Sequence, residues 1–560
     1  MMGTISDKLM RIINTKEDIR QALISKGYDV PTSIPFKEYA KMISDLPCRV
    51  DSFPDIEGIV ARYSALGLTN EQMAANPVWV DKTGNGHDIQ LKNFSWKGMS
   101  GVGGYGDENY QTFYKFTLDD YVFIATPPGV KHMNFTFRVT GLQPGNKLTL
   151  AFFGTTNTVY GTWNKDGIYT VDADIVEAGK PTYFYNGYGA TRGEFTIEIL
   201  PLYPGALVFD GVDDYGVCDN FPILTKEKGY TVVALRQWIE EKNDSTALVS
   251  NCKNWGQDGA FLFEYNNLRI NFLNVAISFG HVSSVDRGKS PFSYQTSKLY
   301  NGKNIEPESF IGSNELVVGK GSKNFPTVSN FAIWELVFLD HDATEEELTK
   351  IKDYFVKTYP WLFPDQAWTV VGKTNEDEDR ATIANITSNG NDLVLSNFGF
   401  IEGSGYNEEG EYAGYLVTDG VDDKVVSKQF KFGENFTVIL DFKFPVKKIS
   451  YCGFDLSAKV RIQNLQDSGV YVVLKGNKTL IPSNVVRAVT SEGKVYDENW
   501  NEYNIVPGNI SSNYTMVNLG FDGSIQFAES ATKLAGIYSS TLSKDECIKA
   551  YNYLQTLKSK

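Results

Sequence analysis

Cysteine is scarce in this chain: five stand in 560 residues, Cys48, Cys218, Cys252, Cys452 and Cys547, with no C-x-x-C spacing among them. That excludes a thiolate zinc site and a disulfide framework, and it fits assembly in a reducing cytoplasm. Histidine is scarcer, and His87, His132, His281 and His341 stand too far apart for metal-ligand spacing. Positive charge is in deficit, with 53 Lys and Arg against 68 Asp and Glu and a net charge of −15. Such a balance argues against duplex nucleic acid or an anionic membrane as the main partner, because both call for basic patches. No apolar run approaches membrane-spanning length, so membrane insertion is not expected, and Met1–Met10 is too polar for a secretory signal.

Aromatic residues are plentiful at 13 %, and there are 50 Gly. That is the profile of a turn-rich β protein, and the length predicts several domains, each able to bury a core.

The chain is built on a repeat. Leu207-Val-Phe-Asp-Gly-Val-Asp-Asp214 returns as Leu416-Val-Thr-Asp-Gly-Val-Asp-Asp423, in each case a short apolar strand running into an Asp-Gly reversal. Upstream, Thr83–Phe94 matches Thr387–Phe398. Downstream, Thr344-Glu-Glu-Glu347 and Ser543-Lys-Asp-Glu546 each spell a capping box at the head of an amphipathic helix. Three landmarks in one order indicate a tandem duplication. The interval from Asp88 to Val208 is far longer than that from Asp392 to Val417, so the first copy carries an extra block of about 95 residues, enough for a small domain of its own.

This spacing predicts a mainly β fold: a short α-helical N-terminal segment over residues 1–50, a first module over 51–105 and 203–361, an insert over 106–202, and a second module over 362–560. The helical segment carries an apolar stripe that includes Ile12, Ile19, Leu23, Phe36 and Tyr39, and these residues are its expected docking or oligomerising face. In the insert, Phe135–Val139, Lys147–Ala151 and Glu194–Ile199 alternate polar and apolar residues between turn signals, which predicts a small antiparallel β-sandwich.

Several motifs fail as catalytic signatures. Gly101-Val-Gly-Gly-Tyr-Gly106 has the letters of a dinucleotide loop without the βαβ unit it needs, and reads as a flexible way into the insert. Ala367–Thr374 has the letters of a phosphate loop but bulky residues inside it. The carboxylates of Glu376–Asp379 follow one another without apolar spacing, as in a solvated loop. Asp172 and Asp174 alternate along one strand but lie in the insert. An enzyme is therefore not expected. Asp210, Asp213, Asp214 and their counterparts Asp419, Asp422 and Asp423 are candidate calcium ligands, since hard cations take clustered carboxylates. The rival reading gives the same residues to the turn, and no other cofactor is expected. Tyr160, Trp163, Tyr183, Tyr185 and Tyr188 in Gly/Asn-rich turns, with Trp255, are candidates for stacking on the apolar face of a sugar.

Asp81-Lys-Thr-Gly-Asn-Gly86, Phe209-Asp-Gly-Val-Asp-Asp-Tyr215 and the closing helix together resemble the concanavalin-like (laminin-G-like) jelly-roll family. The second copy departs at Asn385 and Thr418. The resemblance implies two tandem jelly-roll sandwiches, one of them interrupted by the inserted small β-sandwich. Ile12-Ile-Asn-Thr-Lys-Glu-Asp-Ile-Arg-Gln-Ala-Leu-Ile-Ser-Lys-Gly27 with Phe36-Lys-Glu-Tyr39 is similar to leader segments of phage tail-fibre and other virion appendage proteins, including those of crAss-like phages of gut Bacteroidetes. That resemblance implies a virion protein assembled in the bacterial cytoplasm. Its leader would dock to other virion proteins and its β modules would face outward, often as trimers, toward cell-surface or mucin glycans. The alternatives are a purely structural capsid or tail decoration protein, a glycan-degrading enzyme and a bacterial surface lectin.

Overall fold

The computed structural model describes Lys16, Arg20, residues 53–105 and most of 113–559. The chain divides into two compact units, Met1–Asp55 and Ile56–Lys560. In the first, Lys16 and Arg20 are helical; the expected docking stripe of Ile12, Ile19, Leu23, Phe36 and Tyr39 lies outside the described residues.

The second unit is mainly β. Its duplication is written in strand pairing. Strand Asn330–Leu339 is flanked on one side by Thr231–Glu240. Its other side is shared between Leu207–Asp210, opposite residues 330–333, and Ile59–Ser64, opposite residues 335–339. Strand Glu529–Tyr538 is flanked in the same manner by Thr437–Lys443, Tyr415–Asp419 and Gln366–Thr369. The other sheet of each sandwich matches too. Tyr215–Cys218 runs between Ile89–Lys92 and Leu316–Val318, as Lys424–Ser427 runs between Leu393–Ser396 and Val517–Leu519. Ile89–Lys92 and Leu393–Ser396 alternate buried and exposed residues, as half-buried strands must when one face meets a core and the other meets water. Trp79, Phe209, Phe331 and Phe338 lie in one core, and Trp368, Phe436, Phe442 and Phe454 in the other.

The Asp-Gly reversals do not make hairpins within a sheet, as a tight turn between two short strands would suggest. Leu207–Asp210 and Tyr215–Cys218 belong to different sheets, so the turn arches across the end of the sandwich, and the same holds at 415–427. Gly211 and Gly420 both take φ 73°. A β-carbon on Gly211 would lie 2.7 Å from that of Asn330, so the left-handed arch admits glycine alone without rearrangement.

The insert is a sandwich of two four-stranded sheets around Phe135, Phe137, Leu148, Leu150, Phe184 and Ile197. Its root is clamped: Leu202 N donates to Gly104 O at 2.8 Å and Tyr203 N to Gly103 O at 2.8 Å. The glycine run at 101–106 is therefore a pinned crossing where two chain segments touch, and the flexible passage expected there is corrected in its described part, residues 101–105. Close approach of backbones is what those glycines permit.

Both closing helices, Glu345–Thr358 and Lys544–Gln555, open with the capping boxes that the sequence spells. Beneath each helix lies a buried carboxylate. Glu335 accepts from Arg62 Nε at 3.2 Å and from Tyr359 at 2.7 Å. Asp441 accepts from Arg487, from Tyr415 at 2.9 Å, from Tyr551 at 3.1 Å and from Gln555 at 2.9 Å.

Candidate functional site

The repeated aspartates are engaged in their own turns. Asp210 Oδ1 accepts from Val212 N at 2.7 Å and from Asp213 N at 3.4 Å; Asp214, fully buried, accepts from Ser100 Oγ at 3.0 Å and Asp210 N at 3.1 Å. Asp419 and Asp423 repeat the pattern: Val421 N at 2.8 Å, Asp422 N at 3.3 Å, Ser404 Oγ at 3.1 Å and Asp419 N at 2.9 Å. In each triad one oxygen per carboxylate lies within 4.8 Å of the others, a grouping that could hold a cation in competition with these donors. Burial, with Asp210 nearby, pushes the Asp214 carboxyl up to about 7, and burial pushes that of Asp423 up to about 6.

The remaining turn landmarks are matched in the same way. Asp81 Oδ1 accepts from Thr83 N at 3.0 Å and Thr83 Oγ1 at 2.8 Å, where Asn385 Oδ1 accepts from Thr387 N at 2.9 Å and Thr387 Oγ1 at 2.8 Å. The amide oxygen takes over the carboxylate's role, which is why the replacement of Asp by Asn leaves the turn intact.

The candidate aromatics separate into two groups. Tyr160 and Trp163 lie on strand Thr158–Trp163, rather than in the turn expected from the Gly/Asn-rich sequence. A bulge opposite Leu150 and Ala151 places both half-buried rings against the insert core. The Trp163 ring stands 4.9 Å from that of Phe137 and 5.5 Å from that of Tyr169, so much of its surface is taken up by packing. Tyr183 and Tyr185 lie on strand Thr182–Gly187, again strand where a turn was expected. Phe184 between them is fully buried in the core, which turns the half-buried Tyr185 to the outer side of its sheet. There the register runs Tyr121, Tyr185, Thr149, Thr162 across four adjacent strands. Thr149 Oγ1 and Thr162 Oγ1 are 3.3 Å apart. Thr149 is buried between its neighbours, and the half-buried Tyr185 ring with the exposed Thr162 hydroxyl leaves a surface that can stack on a pyranose and hydrogen-bond to it. Tyr188, Trp255 and the side chains of Asp172, Asp174 and Tyr183 lie outside the described residues.

Sequence reasoning missed a buried acid. Glu264 takes φ 53° and accepts from Arg236 Nε at 2.8 Å, Trp238 Nε1 at 2.7 Å, Ser293 Oγ at 2.5 Å and Tyr300 OH at 3.0 Å. Burial pushes its carboxyl up, but Arg236 and these donors more than offset that and hold it below its usual range. The available signal was a charge closing an apolar strand: Thr231-Val-Val-Ala-Leu-Arg236, like Thr437-Val-Ile-Leu-Asp441, ends a core-forming run on an ion that must be paired.

Neither a protein-family model nor a curated protein matches the chain. It is similar in part to solved structures. A sialidase of Trypanosoma rangeli gives a TM-score of 0.25 at 10 % identity, over 41 % of this chain and 41 % of that one. The HCR/D F1240A mutant gives 0.24 at 10 % identity, over 33 % and 50 %. A GH54 α-L-arabinofuranosidase soaked with a cyclic sulfate inhibitor gives 0.23 at 13 %, over 31 % and 50 %. The chain thus spans half or less of each of these proteins. At such scores the likenesses decide nothing about function, and the fold rests on the strand pairing above.

Proposed function

We propose that this chain is a non-catalytic adhesion protein of a phage virion appendage. In this reading the N-terminal segment docks to the particle and the linked sandwiches present a glycan-binding surface. The observation that carries the adhesive part is the Tyr185–Thr149–Thr162 row on the outer side of the insert. An aromatic platform next to the exposed, uncharged Thr162 hydroxyl suits the alternating apolar and hydroxylated faces of a sugar. Support for a role without catalysis comes from the buried carboxylates: Glu264, Glu335 and Asp441 are each held by an arginine and further donors, in the manner of structural ion pairs. The virion part rests on the leader's resemblance. Weak contacts multiplied by copy number, in a trimer for instance, would supply avidity without any new contact.

A glycan array probed with the whole chain tests adhesion. Binding that falls on Tyr185→Ala supports it; silence across host capsule and mucin glycans favours a decoration protein instead. Deleting residues 1–50 tests docking. The truncated chain is expected to fold and to be absent from purified particles, and its presence there would end the docking reading.

A further inference from the structure

Where the two duplicated sandwiches meet, the Ile56–Lys560 unit holds a cleft of about 610 Å³ that none of the sequence motifs points to. Its walls come from Arg236 and Gln237 of the first module, from the closing helix Glu345–Thr358, from the connection at 360–365 and from Tyr553 and Leu557 at the end of the chain. Clefts between packed domains are preferred ligand sites, because two rigid surfaces enclose a volume that neither encloses alone.

Three features give the cleft its chemistry. Phe363 is half-buried in the wall, which brings part of an aromatic side chain to the cleft. Two polar groups are also left without partners. Gln237 Nε2 donates to Thr556 Oγ1 at 2.8 Å, while Gln237 Oε1 is buried and accepts nothing. Tyr553, 5 % exposed, has no hydrogen bond to its hydroxyl among the described residues. Buried polar groups are satisfied as a rule, so the Gln237 side chain and the Tyr553 hydroxyl in one wall suit a ligand with hydroxyls of its own. The third feature is charge. Lys352 and Lys357 are exposed on the rim and make no salt bridge among the described residues, in a chain whose net charge is −15. The one acid in the wall, Asp365, accepts from Ser539 N.

We propose that this cleft binds an acidic saccharide, with a pyranose face on Phe363, its hydroxyls on the Gln237 side chain and the Tyr553 hydroxyl, and its carboxylate toward Lys352 and Lys357. The inference rests on the glycan-binding reading and adds to it a second site and a class of sugar. Neither module encloses this volume by itself, so the site is a product of the tandem arrangement.

The test uses the full chain and a panel of uronate- and sialate-bearing oligosaccharides, each paired with its carboxyl methyl ester and titrated at two salt concentrations. At least one acid is expected to bind more than tenfold tighter than its ester, and more weakly at the higher salt. Phe363→Ala and the double variant Lys352→Gln/Lys357→Gln should each weaken that binding about tenfold, and Tyr553→Phe about threefold. Lys350→Gln, which removes an exposed charge from the same helix outside the cleft, should leave it unchanged. Both lysines are exposed, so the double variant keeps the fold and serves if Phe363→Ala does not. The proposal is overturned if no acid outbinds its ester, or if the lysine variant binds as the parent does. A chain that binds neutral glycans through Tyr185 but no acidic ones would sink the cleft and spare the adhesive reading; a chain silent on all glycans would sink both.

Discussion

Ser100 donates its hydroxyl to the buried carboxylate of Asp214 at 3.0 Å, across a gap of 114 positions in the chain that includes the whole insert. Ser404 does the same for Asp423 over only 19. The same bond closes the same arch whether or not a domain has been spliced between its partners.

This arch has a pH signature. Asp214 carries a folded pKa of about 7 against an ordinary 3.8. Because the folded value is raised, its contribution to stability is fully present below the unfolded value and is lost as pH rises through about 7. Asp214→Asn should cost about 1 kcal/mol, since one acceptor oxygen becomes a donor. The thermal midpoint gap between parent and variant should widen as pH falls from 8 to 4. A gap independent of pH would contradict the assignment.

The pair beneath the second closing helix works in the other direction. Burial pushes the Asp441 carboxyl up, but Arg487, with Lys533 behind it, outweighs burial and keeps it ionised. Replacing Arg487 by Met leaves that charge buried without its main partner, which should cost about 3–5 kcal/mol in denaturant unfolding. Replacing Lys350, whose partner Glu346 sits four positions away on an exposed helix face, should cost under about 1 kcal/mol.

The insert should be removable. Since Gly103 and Gly104 are hydrogen-bonded to Tyr203 and Leu202, the cut ends of the first module already touch. Excising residues 106–200 and closing with a short Gly/Asn turn is expected to leave a folded chain with its two sandwiches intact by circular dichroism. Collapse of the whole chain would mean that the insert props the module up.

Chelation should have no effect on folding. The oxygens of Asp210, Asp214, Asp419 and Asp423 already accept backbone and hydroxyl hydrogens. Adding a strong calcium chelator is therefore expected to leave the thermal midpoint unchanged. A drop of several degrees would restore the calcium reading of these turns.

Much of the fold could be read from the sequence because its signals are local. Capping boxes, Asp-Gly reversals and strand alternation depend on neighbours a few positions apart, and all returned in the same order. What could not be read were relations between distant residues. Nothing near Asp210 says that its strand crosses to the facing sheet, because that is decided by the pairing partners at 330–333 and 316–318. The aromatic candidates shared a composition but divided by strand side: Phe184 faces inward and so fixes Tyr185 outward, while the bulge near Tyr160 turns Trp163 into the core. The cleft was out of reach for the same reason, since Gln237, Phe363 and Tyr553 meet only once two sandwiches have packed.

The proposed sugar-binding surface lies on the insert. Its most direct test is a glycan array read in parallel with the full chain and the chain lacking residues 106–200. The prediction is that at least one glycan class is bound by the full chain and lost on excision. A full chain that binds nothing, or an excised chain with an unchanged profile, would contradict it.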